Sequence, residues 1–177
     1  MGMKGREIVA KRGLDVDQLI KLLNKAYSDE WFAYYQYWVG AKVAEGVLFG
    51  PIVAEMTEHA KEELHHADRL AERICQLGGT PVLSPEDWYK ESNCEYLVPA
   101  NPEAAVLLQQ NIASERCAIE VYENLLEFID GKDPVTEDII HDILADEVDH
   151  ENDLEALAKA IPGGAPKGKG CGCPVKK

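Results

Sequence analysis

The chain has 177 residues, 46% of them hydrophobic, with 18 Lys and Arg against 32 Asp and Glu, a formal charge of −14. That length suits one domain with a proper core, and no apolar run reaches the roughly 20 residues of a membrane-spanning helix, so no membrane partner is expected. Lys4, Arg6, Lys11 and Arg12 mark the start and Lys167, Lys169, Lys176 and Lys177 the end, which leaves 10 basic and 31 acidic residues in 13–166, a net of −21. A body of that sign repels phosphates, which speaks against DNA or an anionic membrane as its partner, and it attracts cations.

Taken in chain order, Met1-Gly2-Met3-Lys4-Gly5-Arg6 carries basic residues with no apolar stretch behind them. No secretory signal is visible there, and residues 1–14 read as a flexible basic segment. Apolar residues then recur with a 3.6-residue period in four long stretches, and nowhere with strand alternation. Helices are predicted near 15–44 and 50–78, joined by a short link and therefore packed as an antiparallel hairpin. Gly78-Gly79 sits just past the second, where a left-handed residue is wanted. A connection of more than twenty residues follows, near 79–101. It is long enough to run back along a bundle, and its Ser84-Pro85-Glu86-Asp87 has the cap–proline–acid order that opens a short helix. Asn101-Pro102 and Asp133-Pro134 each place a capping side chain before a proline at a first helical position. They predict helices near 102–130 and 134–161, again a hairpin, with Gly131 in the link. Pro162-Gly163-Gly164 ends the last helix, and 162–177 reads as a flexible Gly- and Lys-rich tail. The expected fold is all-α: a four-helix bundle over 15–161 with one long crossover carrying a short helix.

Five cysteines, Cys75, Cys94, Cys117, Cys171 and Cys173, are too few and too scattered for a disulfide scaffold, so a reduced, cytoplasmic chain is expected. By spacing alone Cys117 lies beside its helix's inner face, as a small buried hydrophobe, and Cys75 is expected to be packing. Cys171-Gly172-Cys173 is compatible with soft-metal binding, with a disulfide, or with no function.

Two patterns repeat. Glu30 is followed 33 residues later by Glu63-Leu64-His65-His66, and Glu115 is followed 32 residues later by Glu147-Val148-Asp149-His150. In a Glu-x-x-His, i and i+3 share a helix face. On the second helix Met56, Ala60, Glu63, His66, Leu70 and Ile74 form one stripe, whereas Glu62 and His65 fall with Glu55, Glu58, Arg69, Glu72 and Arg73 on an expected water-facing surface. On the fourth, Ile140, Ile143, Glu147, His150 and Leu154 align, with Asp142, Asp146, Asp149 and Asp153 pointing out. Glu115 lines up with Leu108, Ile112 and Tyr122, and Glu30 with Leu23, Ala26, Tyr34 and Tyr37. Four carboxylates and two imidazoles therefore point into one apolar core. Unpaired buried carboxylates cost several kcal/mol, and the inner faces offer no basic residue to neutralise four of them. Two divalent cations do so, with Glu30, Glu63, His66, Glu115, Glu147 and His150 as bridging and terminal ligands. Oxygen and nitrogen donors without thiolate favour iron or manganese over zinc. A Glu from each of two helices and a Glu-x-x-His from the other two is the known signature of dinuclear carboxylate bundles. His59, His65 and His141 are expected at the surface or rim. Trp31, Phe32, Tyr35 and Trp38, turned away from Glu30, suggest subunit contacts.

On these residues the chain resembles the ferritin-like superfamily over nearly all of 15–161. Glu63-Leu64-His65-His66-Ala67-Asp68-Arg69 is similar to the bacterioferritin motif on the second helix, and Tyr37, seven residues past Glu30, to that family's tyrosine beside the metal site. Leu64 stands where bacterioferritin carries its haem-ligating Met, and no fifth helix follows Ile161, so neither haem nor a 24-subunit cage is expected. The nearer resemblance is to the Dps-like proteins called thioferritins, in which a cysteine pair occupies the positions of Cys94 and Cys117. This resemblance implies two iron ions per subunit, with manganese left open, and a homo-oligomeric, dodecameric shell. It also implies Fe(II) oxidation with hydrogen peroxide in preference to O2, storage of ferric iron as a protection against oxidative stress, a redox role for Cys94 and Cys117, and a further electron from Tyr37. The alternatives are a rubrerythrin-like peroxidase or manganese catalase without storage, and a DNA-protecting Dps-type shell. Rubrerythrin's iron–thiolate module needs paired C-x-x-C motifs, which are absent here.

Overall fold

A computed structural model describes residues 3–162; the tail cysteines Cys171 and Cys173 and the tail from 163 onward lie outside the described residues. Six helices follow in order: α1 (Met3–Lys11), α2 (Val16–Val43), α3 (Phe49–Gln76), α4 (Pro85–Glu91), α5 (Ala104–Ile129) and α6 (Pro134–Ala160). The four long ones match the four periodic stretches, and α4 is the short helix opened by Ser84-Pro85. Local chemistry sets most of the ends. Asp15 caps α2 by accepting from the Gln18 amide at 3.0 Å, and Asp133 caps α6 from ahead of Pro134 by accepting from the Thr136 amide at 3.3 Å. Gly78 and Gly131 take left-handed φ values of 83° and 69°, as a chain leaving a helix requires.

The start of α5 differs from the expectation. Asn101 accepts from the Glu103 amide at 3.1 Å, but the helix begins only at Ala104, with Glu103 at its cap. The cause is tertiary. The link between α2 and α3 pairs with this segment, Glu45 donating to the Pro102 carbonyl and accepting from the Ala104 amide, both at 2.8 Å. These bonds hold 101–103 extended. The N-terminal segment also departs from its reading as flexible, because α1 is a packed helix. Val9 and Leu14 join the core, and Arg6 donates to the Leu77 carbonyl at the end of α3 (2.7 Å) and to Asp17 (2.6 Å). A guanidinium at a helix C-terminus satisfies a carbonyl that the helix leaves open.

The side-chain register makes the bundle antiparallel between neighbours. Along α3 and α6, Arg73 meets Thr136, Arg69 meets Asp142, and His66 meets Asp146. Along α2 and α5, Gln36 meets Asn111 and Glu30 meets Tyr122. The α3–α5 crossover therefore runs the length of the bundle, held down by buried polar groups of α2. Asp29 accepts from the Asn93 and Cys94 amides, both at 2.8 Å, and Gln36 from the Leu97 amide at 2.9 Å.

Arg73, expected in water, is buried against the α6 cap, with Asp133 at 2.7 Å and Thr136 at 2.7 Å. Burial opposes ionisation of Asp133, but Thr136 and Arg73 more than offset it and hold its carboxyl below the usual range. The aromatic girdle is partly consumed within the chain. Trp31 stacks on Trp88 of α4 at 5.1 Å, and Phe32 packs on Tyr89 and Tyr96, while Tyr35 and Trp38 remain exposed. Cys75 is exposed and free rather than packed.

Two apolar clusters fill the bundle. One gathers Leu19, Leu23, Leu70, Ile74, Leu125 and Ile140, and the other Ala41, Ile52, Met56, Leu108, Ile112 and Leu154. Each long helix contributes to both, and between the two clusters each turns a charged residue inward.

Candidate metal centre

The layer between the two clusters holds Glu30 from α2, Glu63 and His66 from α3, Glu115 from α5, and Glu147 and His150 from α6, none more than 4% exposed. The i, i+3 spacing brings each Glu and His of a pair to one helix face, and the antiparallel register sets the two pairs opposite each other. His66 Nδ1 lies 3.4 Å from Glu30, 3.5 Å from Glu63 and 3.2 Å from Glu147. His150 Nδ1 lies 3.3 Å from Glu63, 3.8 Å from Glu115 and 3.4 Å from Glu147. Ligand atoms thus converge in two sets of four, Glu30–Glu63–His66–Glu147 and Glu63–Glu115–Glu147–His150. Glu63 and Glu147 belong to both. Glu30 and His66 belong to the first set alone, and Glu115 and His150 to the second alone.

The donor chemistry fits metal. Glu30 Oε2, Glu63 Oε1, both Glu147 oxygens and the Nδ1 atoms of both histidines are buried without an aligned hydrogen-bond partner. Buried polar atoms are normally satisfied. Four others among the described residues, on Trp31, Trp88, Gln110 and Asn111, also lack an aligned partner, but these six converge on one another. Without cations the layer is held by a division of protons. Burial, reinforced by the charges of Glu147 and Glu63, drives Glu30 and Glu115 well above the usual carboxyl range. Burial also opposes charge on Glu63 and Glu147, but the adjoining histidines outweigh it and keep both low. The same carboxylates overcome the burial of His66 and His150 and raise them.

Around these six residues lies a ring of support. The outer nitrogen of His66 faces Asp146 at 3.1 Å, and that of His150 faces Glu62 at 2.9 Å. Such contacts hold a ligating imidazole in one orientation and tautomer. Glu62 is therefore no idle surface acid: it reaches across from α3 to α6. Tyr37 donates to Glu115 and, symmetrically, Tyr122 donates to Glu30; burial raises both phenols. Sequence reasoning singled out only Tyr37, although Tyr122 stands seven residues past Glu115 as Tyr37 stands seven past Glu30.

His59, expected at the rim, is 2% exposed. Its ring stacks on that of His150 at 4.0 Å and its Nδ1 is 3.3 Å from the Tyr37 hydroxyl. Burial and then the His150 charge lower it to about 4. Its position four before Glu63 and seven before His66 was the available signal. His65 and His141 are exposed. Cys94 and Cys117 lie outside the ligand layer, bonded to each other with Cα atoms 6.0 Å apart. Cys117 follows Glu115 by two residues, and the Cys94 amide is held by Asp29, the neighbour of Glu30.

The relatives agree with this geometry. A ferritin-like domain model matches residues 20–163. The chain is 34% identical over 161 residues to the DNA protection during starvation protein of Pyrococcus furiosus, covering 90% of this chain and 86% of that one. It is 32% identical to the bacterial ferritin of Pseudomonas aeruginosa, over 78% of this chain and 84% of that one. Among solved structures it superposes on a dodecameric thioferritin, the bacterioferritin-related protein from Bacteroides fragilis, with a TM-score of 0.88 at 46% identity, covering 90% and 95% of the two chains. The Dps of Thermosynechococcus elongatus, at 21% identity and a TM-score of 0.75 over 80% of this chain and 90% of that one, shares the fold. With all-helical architecture, carboxylate layer and relatives in agreement, the chain belongs to the ferritin-like family, alongside its bacterioferritin-related and Dps-type members.

Proposed function

We propose that the protein is a ferroxidase that oxidises Fe(II) in pairs, with hydrogen peroxide in preference to O2, and stores the ferric product inside a shell of its own copies. The observation that carries this reading is the sharing of Glu63 and Glu147 between two four-ligand sets. Two ferrous ions held together supply both electrons that peroxide needs: two Fe(II), one H2O2 and two protons give two Fe(III) and two waters. Peroxide is thereby spared the one-electron reduction that releases hydroxyl radical. The acidic surface gathers the cations, and the carboxylates favour the ferric product. The relative from Bacteroides fragilis is dodecameric, which supports twelve copies here, and the exposure of Tyr35 and Trp38 supports contacts between copies. Manganese suits the same donor set.

DNA protection is the less favoured reading. Of the four basic residues at the N-terminus, Arg6 is engaged by Leu77 and Asp17, and Arg12 by the Lys132 carbonyl. Of these, among the described residues, only the Arg6 charge is neutralised by an acid of the fold outside α1, Asp17.

Anaerobic loading with Fe(II) followed by peroxide is expected to give rapid oxidation, a slower reaction with O2, and dissolved particles holding far more than two irons per chain. Light scattering with metal analysis of the same peak reads the outcome. Iron that stops near two per chain would leave an enzyme without storage, such as a peroxidase or manganese catalase.

The Cys94–Cys117 bond is proposed as a redox element of this centre, since Cys117 follows Glu115 by two residues and the Cys94 amide is held by Asp29, the neighbour of Glu30. Replacing both cysteines by Ser is expected to cost about 3 kcal/mol in denaturant titration, for a loop of this size. It should also remove any dependence of the oxidation rate on prior treatment with dithiothreitol. Equal dependence in wild type and variant would reduce the pair to a structural bond.

A further inference from the structure

A cavity of about 260 Å3 opens between α3 and α6 with His150 of the paired site in its wall, lined otherwise by Glu55, Glu58, His59, Glu62 and Asp153 among others. A wall of acids alone is ordinary helix surface. A buried imidazole on that wall is not, and His59 carries one here. Its Nε2 stands 3.3 Å from Glu55, its i−4 neighbour. Glu55, His59 and Asp153 each turn a ligand atom to within 4.8 Å of the others. The trio uses none of the six ligands already described, and His59 ties it to them by stacking on His150.

The internal repeat shows that this arrangement is not a by-product of bundle symmetry. An offset of 84 relates Glu63 to Glu147 and His66 to His150. At the same offset Glu55 corresponds to Ile139, His59 to Ile143 and Asp153 to Arg69. Ile139 and Ile143 belong to the apolar cluster, and Arg69 pairs with Asp142 at 2.7 Å across the groove. The groove is thus closed by a salt bridge and aliphatic packing at the His66 end. At the His150 end the counterpart of that Arg69–Asp142 pair is Asp153 with Glu58, two acids with no cation between them. The His66 end presents a neutral ion pair and aliphatic side chains where the His150 end presents unneutralised acids beside a buried histidine.

We propose that Glu55, His59 and Asp153 form a third site, for a first-row divalent cation, which stages ions on their way to or from the paired site at its His150 end. Mixed imidazole and carboxylate donors suit Fe(II), Mn(II) or Co(II), and one exposed and one half-buried carboxylate beside a buried nitrogen make a site that exchanges more readily than the enclosed pair. The staging role rests on the two-ion reading of the centre; the site itself does not.

Equilibrium dialysis of the full chain against Co(II), at an ionic strength that screens the acidic surface, separates the two. Wild type is expected to hold about three ions per chain and the Glu55→Gln/Asp153→Asn variant about two, while Glu63→Gln/Glu147→Gln keeps about one. Anomalous scattering at the cobalt edge should place the ion that the first variant loses between Glu55, His59 and Asp153. Two ions in both wild type and the Glu55→Gln/Asp153→Asn variant overturn the third site and leave the pair standing. Full occupancy in Glu63→Gln/Glu147→Gln overturns the pair instead. An ion count that falls in the first variant without anomalous density at the trio also overturns the assignment. Circular dichroism of both variants excludes unfolding as the cause of any loss.

Discussion

Glu63→Ala is expected to abolish rapid Fe(II) oxidation, with a loss of at least about 100-fold, whereas Glu30→Ala leaves one ion bound and a slower, one-ion reaction. The asymmetry follows from geometry. Glu63 serves both four-ligand sets and Glu30 only one, so the first substitution dismantles two ion positions and the second weakens one. Glu147→Ala should behave like Glu63→Ala, and Glu115→Ala like Glu30→Ala. Loss of a ligand or of its supporting contact commonly costs 10–100-fold in affinity, and for a shared ligand that loss applies at both positions. Stopped-flow oxidation together with Co(II) or Fe(II) stoichiometry distinguishes the classes. Identical effects of Glu63→Ala and Glu30→Ala on stoichiometry would show that Glu63 does not bridge.

Metal and stability are expected to be coupled in opposite directions at this centre. Four carboxyls and two imidazoles fill a layer that an apolar core would occupy more favourably. Glu30→Gln with Glu115→Gln keeps the acceptors that Tyr122 and Tyr37 use while removing two acids that burial forces to take up protons in the metal-free fold, a cost to stability above their unfolded pKa. That variant should unfold at a higher temperature than wild type when both are metal-free, and at a lower one when both are loaded. Two ions each present at a thousandfold excess over Kd add about 8 kcal/mol to the loaded state. For a chain of this size that is a rise on the order of 20 °C in Tm. Calorimetry of apo and Co(II)-loaded samples checks both signs. A variant less stable in both states would mean that these acids serve the fold rather than the ion.

Much of this was legible before any coordinates. The four long helices follow from 3.6-residue periodicity, three of their ends from Gly78, Gly131 and Asp133-Pro134, and the crossover from its length alone. The six convergent residues follow from face assignment, because a carboxylate aligned with Leu, Ile and Ala at helical spacing has to be buried with them. What escaped was decided by contacts between elements. α1 is ordered because Arg6 finds the end of α3, seventy-one residues away. Arg73 is buried because the α6 cap lands on it, and α5 starts late because the α2–α3 link pairs with it. His59 sat at an inner-face spacing, yet nothing in α3 alone says that His150 will stack on it.

The sequence by itself determined which long helices form, which face of each is apolar, and that four acids and two histidines must share the interior. Those are properties of one helix at a time, set by spacing and by the cost of burying charge. Only the tertiary structure decided how the six divide. Glu63 and Glu147 belong to both sets of converging ligand atoms, Asp146 and Glu62 meet histidines on the opposite helix, and Cys94 meets Cys117. Each of these depends on the antiparallel register between helices. A shift of one turn, about 5.4 Å, would leave every helix intact and no shared ligand between them.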